Sequence, residues 1–439
     1  LSKIIGGGTP SRNELSYWGG DIPWLTVKDM RSRRPAAAQE HITERAVAES
    51  ATSIIPPDTV ITATRVGLGK VVRVPYAAAI NQDLKALIAG PGLDKSYLEY
   101  WIVSIAAFLE SIGSGTTVKG IRLETLRQLP FPLAPLAEQR EIVAELEKHF
   151  SRLDEAVANL QRVKANLKRY KASVLKDAVE GRLVPTEAEL ARREGRSFET
   201  GEQLLQRILG ARRTQWNKKG KFKEAAAPVV EGLPKLPEGW AWARLDSVAA
   251  LKGGITVDSK RADPTASMVP YLRVANVQRG YLDLTEIKQI NASDEDAAEL
   301  RLKFGDILFN EGGDRDKLGR GWIWENQLAD CIHQNHVFRA RVFLPEMVPK
   351  LISWWGNTFG KDYFQRVGKQ TTNLASINLG KLSEFPVPIP PAAEQLRLVA
   401  EIERLLSVVD RVAIEVDANL KRAQSLRSAV LAKSFEIED

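Results

Sequence analysis

The sequence predicts an α/β (α+β) protein: two similar globular domains separated by two long antiparallel coiled-coil helices, with a pseudo-two-fold internal repeat. Three observations carry this expectation. Residues 135–146, PLAEQREIVAEL, are written again at 391–402 as PAAEQLRLVAEI. Behind each copy an apolar stripe recurs at three-and-four spacing for about five heptads. Ahead of each copy, short β-rich runs are mixed with apolar helical stretches and glycine-rich turns.

Composition sets the frame. A chain of 439 residues, 44% apolar and 27% charged, has the length for two or three domains and the balance of a soluble globular protein. No stretch reaches the roughly 18 uninterrupted apolar residues of a membrane span. No secretory leader is visible either, so no membrane partner and a cytoplasmic location are expected. Cys331 is the only cysteine, which excludes an internal disulfide and suits a reducing compartment. A formal charge of +7 with pI near 9.3 fits a phosphate-bearing partner, and equally fits plain solubility.

The repeat extends beyond the helix starts. Without a gap, 126–181 lies over 382–437: Leu126 meets Leu382, Pro130 meets Pro386, Ala137-Glu138-Gln139 meets Ala393-Glu394-Gln395, and Asp154 meets Asp410. Upstream, DIPWL (21–25) echoes MVPYL (268–272), PDTVI (57–61) echoes GDILF (305–309), and INQD (80–83) echoes IHQN (332–335). SGTTVKGIRLETL (114–126) echoes KQTTNLASINLGKL (369–382). A unit present only twice is no solenoid.

In chain order, residues 1–125 are expected to be the first globular domain, with strands in DTVITA and VVRV and a helix over 95–112. Residues 126–181 carry the first long helix. Pro135 suits its first turn and Glu138 the positive end of its dipole. Its seam is Val143, Leu146, Phe150, Leu153, Val157, Leu160, Leu167 and Val174. Residues 182–236 read as a linker with a short amphipathic helix in EQLLQRILGARRTQW, a cationic KKGKFK and an extended AAAPVVEGLPKLPEG. Residues 237–381 form the second globular domain, with strands in DILFN, GWIWE and HVFRARVF and helical sequence over 347–367. Residues 382–439 hold the second long helix, with seam Val399, Ile402, Leu406, Val409, Ala413, Val416, Leu420 and Val430. Neither helix can bury its stripe alone, so the two should pack on each other. About 40 residues span roughly 60 Å.

The search for catalysis returns little. CIHQNH (331–336) clusters Cys331, His333 and His336, but the matching stretch of the first copy has neither Cys nor His, so no metal is assigned. RVGLGK (65–70) and EGGDRDKLGRG (311–321) are glycine-rich and basic, yet match neither phosphate-loop nor dinucleotide patterns. Asp314, Asp316 and Lys317 resemble a fragment of a nuclease site, without a counterpart in the first copy. No catalytic residue is assigned. The same loops suit DNA, because glycine admits backbone N–H groups to phosphates while Arg and Lys reach phosphate or guanine. The candidates are Arg65, Lys70, Thr116, Thr117 and Lys119 in the first domain. In the second they are Arg315, Lys317, Arg320, Lys369, Gln370 and Thr371.

The doubled string TT-x₃-I-x-L-x₂-L-x₃-P-x-P-x₂-P-x₂-EQ (with x₄ after TT in the second copy) followed by a long helix resembles the specificity subunit of type I restriction–modification enzymes. LPEGWAWARLDSV (236–248) and GRLVPTEAE (181–189) fit the same family. The resemblance covers essentially the whole chain. It implies two target-recognition domains, each reading half of a split double-stranded DNA sequence, with the helix pair as spacer. It further implies two adenine-N6 methyltransferase subunits as partners, motor-nuclease subunits in the full complex, and S-adenosylmethionine held by the partner rather than by this chain. The first unit opens with LSKIIGGG where the second has LPEGWAWARLDSVAALKGG, so about a dozen residues of the first unit are expected to be absent. Two other readings compete: a coiled-coil scaffold whose end domains bind proteins, and a nuclease using Asp314, Asp316 and Lys317.

Overall fold

The computed structural model describes residues 3–115, 119–216, 221–257, 267–370 and 375–435. They fall into two compact units, residues 1–164 with 414–439, and residues 165–413.

The first unit is built on two four-stranded sheets. One runs Lys3–Gly6, Leu84–Ile88, Val60–Ala63, Val71–Val72, all antiparallel. The other runs Glu40–Ile42, Trp18–Leu25, Ala78–Ile80, Ile54–Ile55, with one parallel pair, Trp24 opposite Ala79 and Leu25 opposite Ile80. Strand VITA is buried along its whole length, as a strand covered on both faces should be. Leu25, Ile61, Val72, Ile80, Leu84 and Ala86 meet in the core.

The second unit repeats this plan. Its first sheet runs Ala249–Lys252, Val337–Val342, Ile307–Asn310, Gly321–Ile323. Its second runs Lys288–Ala292, Ser267–Leu272, Ile332–His333, again with one parallel pair, Leu272 opposite His333. Strand order and direction therefore repeat together with the sequence, except at the edge strand Ile54–Ile55, which has no counterpart among the described residues.

The ladder corrects two of the sequence pairings. Asp58 N–H donates to Val74 O (2.7 Å) and Gly305 N–H to Trp324 O (2.8 Å), and both residues take positive φ, 57° and 85°. Asp58 therefore matches Gly305, and PDTVI lies over Phe304–Leu308, one residue away from GDILF. Likewise Gly8 N–H donates to Ile80 O and Ile255 N–H to His333 O, so Ile80 matches His333 and not Ile332. Shared Asp and Gln letters pulled the sequence pairing off by one; the hydrogen-bonded backbone sets the register.

Each apolar helical stretch breaks in two. Lys95–Ser104 and Ala106–Ile112 meet at Ile105, and Pro349–Asn357 and Phe359–Val367 meet at Thr358.

The long helices are Leu136–Val179 and Ala392–Ser434. In the first unit Lys164 pairs with Asp417 (2.7 Å) and Arg427 with Asp154. In the second unit Lys171 pairs with Asp410 (3.5 Å). In the first unit 154 meets 427 and 164 meets 417, and in the second 171 meets 410 while Ala178 packs with Leu398 and Ile402, so the pairing is antiparallel in each. Leu146, Phe150, Val174, Ile402, Val409 and Val416 are buried, and Val143 is nearly so. Leu153, Val157, Leu160, Leu167, Val399, Leu406, Ala413, Leu420 and Val430 are half-buried, because two helices alone cover only one side of each seam. Toward the globular parts the seam broadens. Val143, Leu146 and Phe150 join Tyr97, Tyr100 and Leu431, while Leu398 and Ile402 join Leu351 and Trp354.

The repeated Glu-Gln now has a cause. Gln139 and Gln395 are fully buried at the helix starts. Gln139 Oε1 accepts from Asp94 N–H (2.8 Å), and its Nε2 donates to Ala134 O (2.7 Å) and Gly92 O (3.1 Å). Gln395 Oε1 accepts from Val348 N–H (2.9 Å), and its Nε2 donates to Pro390 O (2.9 Å). Each glutamine ties its long helix to the backbone just ahead of a globular-domain helix, satisfying groups that burial would otherwise leave unpaired.

Residues 182–236 are more than a linker. Thr186 and Glu189 form a reciprocal capping box at the start of Glu187–Glu194. The helix Gly201–Thr214 places Leu204, Leu205 and Ile208 in the core of the second unit. Among the described residues no helix is long and apolar enough to cross a membrane.

Candidate nucleic-acid interface

In both units the strand at the sheet centre runs out into a glycine-rich loop beside a hairpin. In the first unit Val60–Ala63 leads to residues 64–70. Ile121 N–H donates to Thr64 O (2.9 Å), Arg65 bridges Gly120, and Ser114 and Gly120 exchange backbone hydrogen bonds. The loop closes where Ala63 N–H donates to Lys70 O (2.9 Å). In the second unit Ile377 N–H donates to Glu311 O (2.8 Å) and Asn310 N–H to Arg320 O (2.9 Å). Gly312–Gly313 pairs with Ala375–Ser376, which pairs in turn with Lys369–Gln370. Leu68-Gly69-Lys70 thus corresponds to Leu318-Gly319-Arg320. Both leucines are buried, and both glycines take positive φ, 76° and 61°. A Cβ would meet Ala106 at 2.5 Å in the first unit and the Phe364 ring at 2.0 Å in the second. Glycine is required there by conformation and by space.

The candidate cations do not all have the same freedom. Arg65, Lys70, Lys119, Arg315 and Lys369 are exposed, though Arg65 also pairs with Asp83 (3.4 Å). Arg315 lies in a single turn, Arg315–Lys317, within the segment that makes this loop longer than its counterpart. Lys317 is half-buried and ion-paired with Asp314, and that lysine holds the Asp314 carboxyl below its usual range. The DRDK run is therefore an internally paired turn. Arg320 is half-buried, with Nη2 donating to Val274 O (3.2 Å). Burial lowers its guanidinium pKa, and the bond to Val274 O braces the loop. Thr116, Thr117 and Thr371 lie outside the described residues. Gln370 is placed in the hairpin by its backbone.

Sequence reasoning missed Arg279. Its Nη1 donates to Asn357 O (2.9 Å) and its Nη2 to Asp316 O (2.8 Å). Asn357 in turn exchanges hydrogen bonds with Gly321. Arg279 thus joins a hairpin, a helix end and the basic loop. Its only sequence signal was an Arg-Gly pair between two short apolar runs, the mark of a tight turn. Lys85 was missed too; its Nζ donates to Gln82 O (3.0 Å) and Leu84 O (3.2 Å), and burial lowers its pKa.

The CIHQNH cluster is dispersed. His333 is fully buried, with Nδ1 2.6 Å from Val337 O, while His336 Nδ1 lies 2.6 Å from Glu311 Oε2. Burial pushes the Cys331 thiol up to about 12. No group of three metal-ligating side chains occurs among the described residues.

Two copies of a loop-and-hairpin head on a repeated sheet, each followed by a long helix, define a two-module protein. Residues 1–165 match the type I restriction modification DNA specificity domain. The MjaIX specificity subunit of Methanocaldococcus jannaschii is 30% identical over 158 residues, which is 35% of this chain and 36% of that protein. The EcoR124I/EcoR124II specificity subunit of Escherichia coli is 31% identical over 157 residues, 34% of this chain and 38% of that protein. The matched stretches thus span little more than a third of these relatives. A chain from a solved type I R-M system superposes with TM-score 0.64 at 16% identity, covering 98% of this chain and 94% of that one, which extends the shared fold over both units. Over residues 1–165 the chain is similar to the DNA specificity domain of type I restriction–modification systems, and over both units it shares the fold of that solved chain.

Proposed function

We propose that this chain is the non-catalytic DNA-specificity subunit of a type I restriction–modification enzyme, reading a bipartite duplex target with one half for each loop-and-hairpin head. The helix pair sets the spacing between the halves and docks two adenine-N6 methyltransferase subunits, which hold S-adenosylmethionine and through which restriction subunits join. The observation that carries this reading is the repetition of the head itself. Arg65, Lys70 and Lys119 in one unit, and Arg315 and Lys369 in the other, are exposed on the corresponding loop and hairpin of each head. A split target needs two readers of one design.

The test is duplex binding across a salt series, with methylation profiling of the assembled complex to fix the target. Binding should weaken steeply with salt and the target should be preferred over unrelated duplex. The chain alone should transfer no methyl group. A flat salt response, or equal affinity for target and unrelated duplex in the complex, would reject the reading in favour of a protein-binding scaffold.

A further inference from the structure

The two heads share a feature that their exposed cations do not explain. Thr64 N–H donates to Asp83 O (2.8 Å) and Glu311 N–H to His336 O (2.9 Å), so Thr64 corresponds to Glu311 and Asp83 to His336. These four residues sit where each central strand runs out into its basic loop. In the first unit Asp83 lies 3.4 Å from Arg65, and Asn81 Nδ2 donates to its Oδ2 (3.1 Å). In the second unit Glu311 Oε2 lies 2.6 Å from His336 Nδ1. The first head thus takes its carboxylate from position 83 and its nitrogen partner from the loop. The second takes its carboxylate from the strand exit and its nitrogen partner from position 336, the counterpart of Asp83. The residues have changed places, and a carboxylate stands at the crossing in both.

Such a charge needs a reason. The heads offer exposed Arg65, Lys70 and Lys119, or Arg315 and Lys369, to a partner that carries a row of phosphates. A carboxylate among them repels that partner, and a surface ion pair returns little stability. Both carboxylates are half-buried, held on one side by a nitrogen partner. Neither is used up. A carboxylate has about four acceptor sites, and among the described residues Asp83 meets Arg65 and Asn81 while Glu311 meets His336. The major groove presents amine donors at cytosine N4 and adenine N6. A carboxylate suits cytosine, because adenine sets the N7 acceptor beside its amine.

On the DNA-specificity reading above, on which this inference rests, we propose that Asp83 and Glu311 are specificity-determining residues. Each accepts from the N4 amine of a cytosine in the half-site of its own head. Each half-site therefore contains a G·C pair at the position its carboxylate meets.

The test is methylation profiling of the assembled complex with the parent chain, Glu311→Gln or Asp83→Asn, and competition binding of duplexes changed one base pair at a time. For the parent, replacing the G·C pair should weaken binding roughly tenfold or more. Glu311→Gln should move the preference at one position of one half-site from cytosine to adenine, because an amide pairs with adenine N6 and N7. Asp83→Asn should do the same in the other half-site. Glu311→Asp keeps the carboxylate and should keep the cytosine. In each variant the untouched half-site, read with its parental sequence, shows that the chain is folded and assembled. Should an amide variant not assemble, the parental target still decides, since a half-site without a G·C pair would overturn the proposal. So would amide variants that leave both half-site sequences unchanged, or that alter affinity for all sequences alike. A parent complex with no split target would instead sink the DNA-specificity reading itself, and this proposal with it.

Discussion

His333 occupies the place that Ile80 holds in the first unit, so the sheet tolerates a titratable ring where its sister has a hydrocarbon. Burial depresses the imidazole pKa from 6.5 to about 4, against a smaller opposing pull from the Val337 carbonyl. A ring that stays neutral when folded costs stability wherever the unfolded chain would bind the proton. The contribution is therefore complete above pH 6.5 and is lost as pH falls toward 4, by about 3 kcal/mol in all. His333→Ile should remove this part of the acid sensitivity, seen as a flatter dependence of melting temperature on pH between 6.5 and 4 than in the parent chain. Arg315 poses a different residue-scale question. If it meets a base edge, Arg315→Ala should relax one half-site by about 1–3 kcal/mol. If it meets a phosphate, all sequences should weaken alike and the salt slope should fall by about one unit. Competition binding at two salt concentrations separates the outcomes. Residue types and glycine-rich context pointed to these loops, but exposure could not be read from the sequence. Arg320 and Arg315 look alike as letters, and only the carbonyl of Val274 shows that one is turned inward.

At the scale of elements, the buried glutamine ties the start of a long helix to the backbone ahead of a globular-domain helix. Gln395→Leu would leave Val348 N–H and Pro390 O buried and unpaired, at a cost of about 2–4 kcal/mol. Thermal or urea unfolding should show that loss, and a shift under 0.5 kcal/mol would mean that water replaces the amide. The long helices were legible because an apolar period of 3–4 sustained over so many turns fits a helix and does not fit the alternation of a strand. Leu398 and Leu431 escaped notice because they pack where the helices touch the globular parts, and a two-helix seam does not anticipate that neighbour. The helix Glu187–Glu194 carried its capping box in plain sight, yet its few apolar residues made it read as linker. The breaks at Ile105 and Thr358 come with no proline at the break itself, so local sequence gave no warning of them.

At the scale of the molecule, duplication accounts for why so much of the plan could be read. Each unit supplies a second copy against which the other is checked: the first sheets agree in order and direction, and the second sheets agree except at the edge strand Ile54–Ile55, which has no counterpart among the described residues. If the helix pair sets spacing, removing one heptad from both helices should change the tolerated gap between half-sites and leave both half-site sequences intact. Methylation profiling of the assembled variant decides it, since a changed half-site sequence at constant gap would rule the spacer role out.

The lone thiol has a practical consequence for watching this protein move. Cys331 is 1% exposed with its thiol near pKa 12, so almost no thiolate is present at neutral pH to react with a maleimide or a disulfide dye. A thiol assay on the native chain should return no fast-reacting group, and one after denaturation. Cysteines added at chosen surface sites, one in each unit, would then accept donor and acceptor dyes without any native residue being removed. The distance between the two units, with and without added duplex, becomes measurable one molecule at a time.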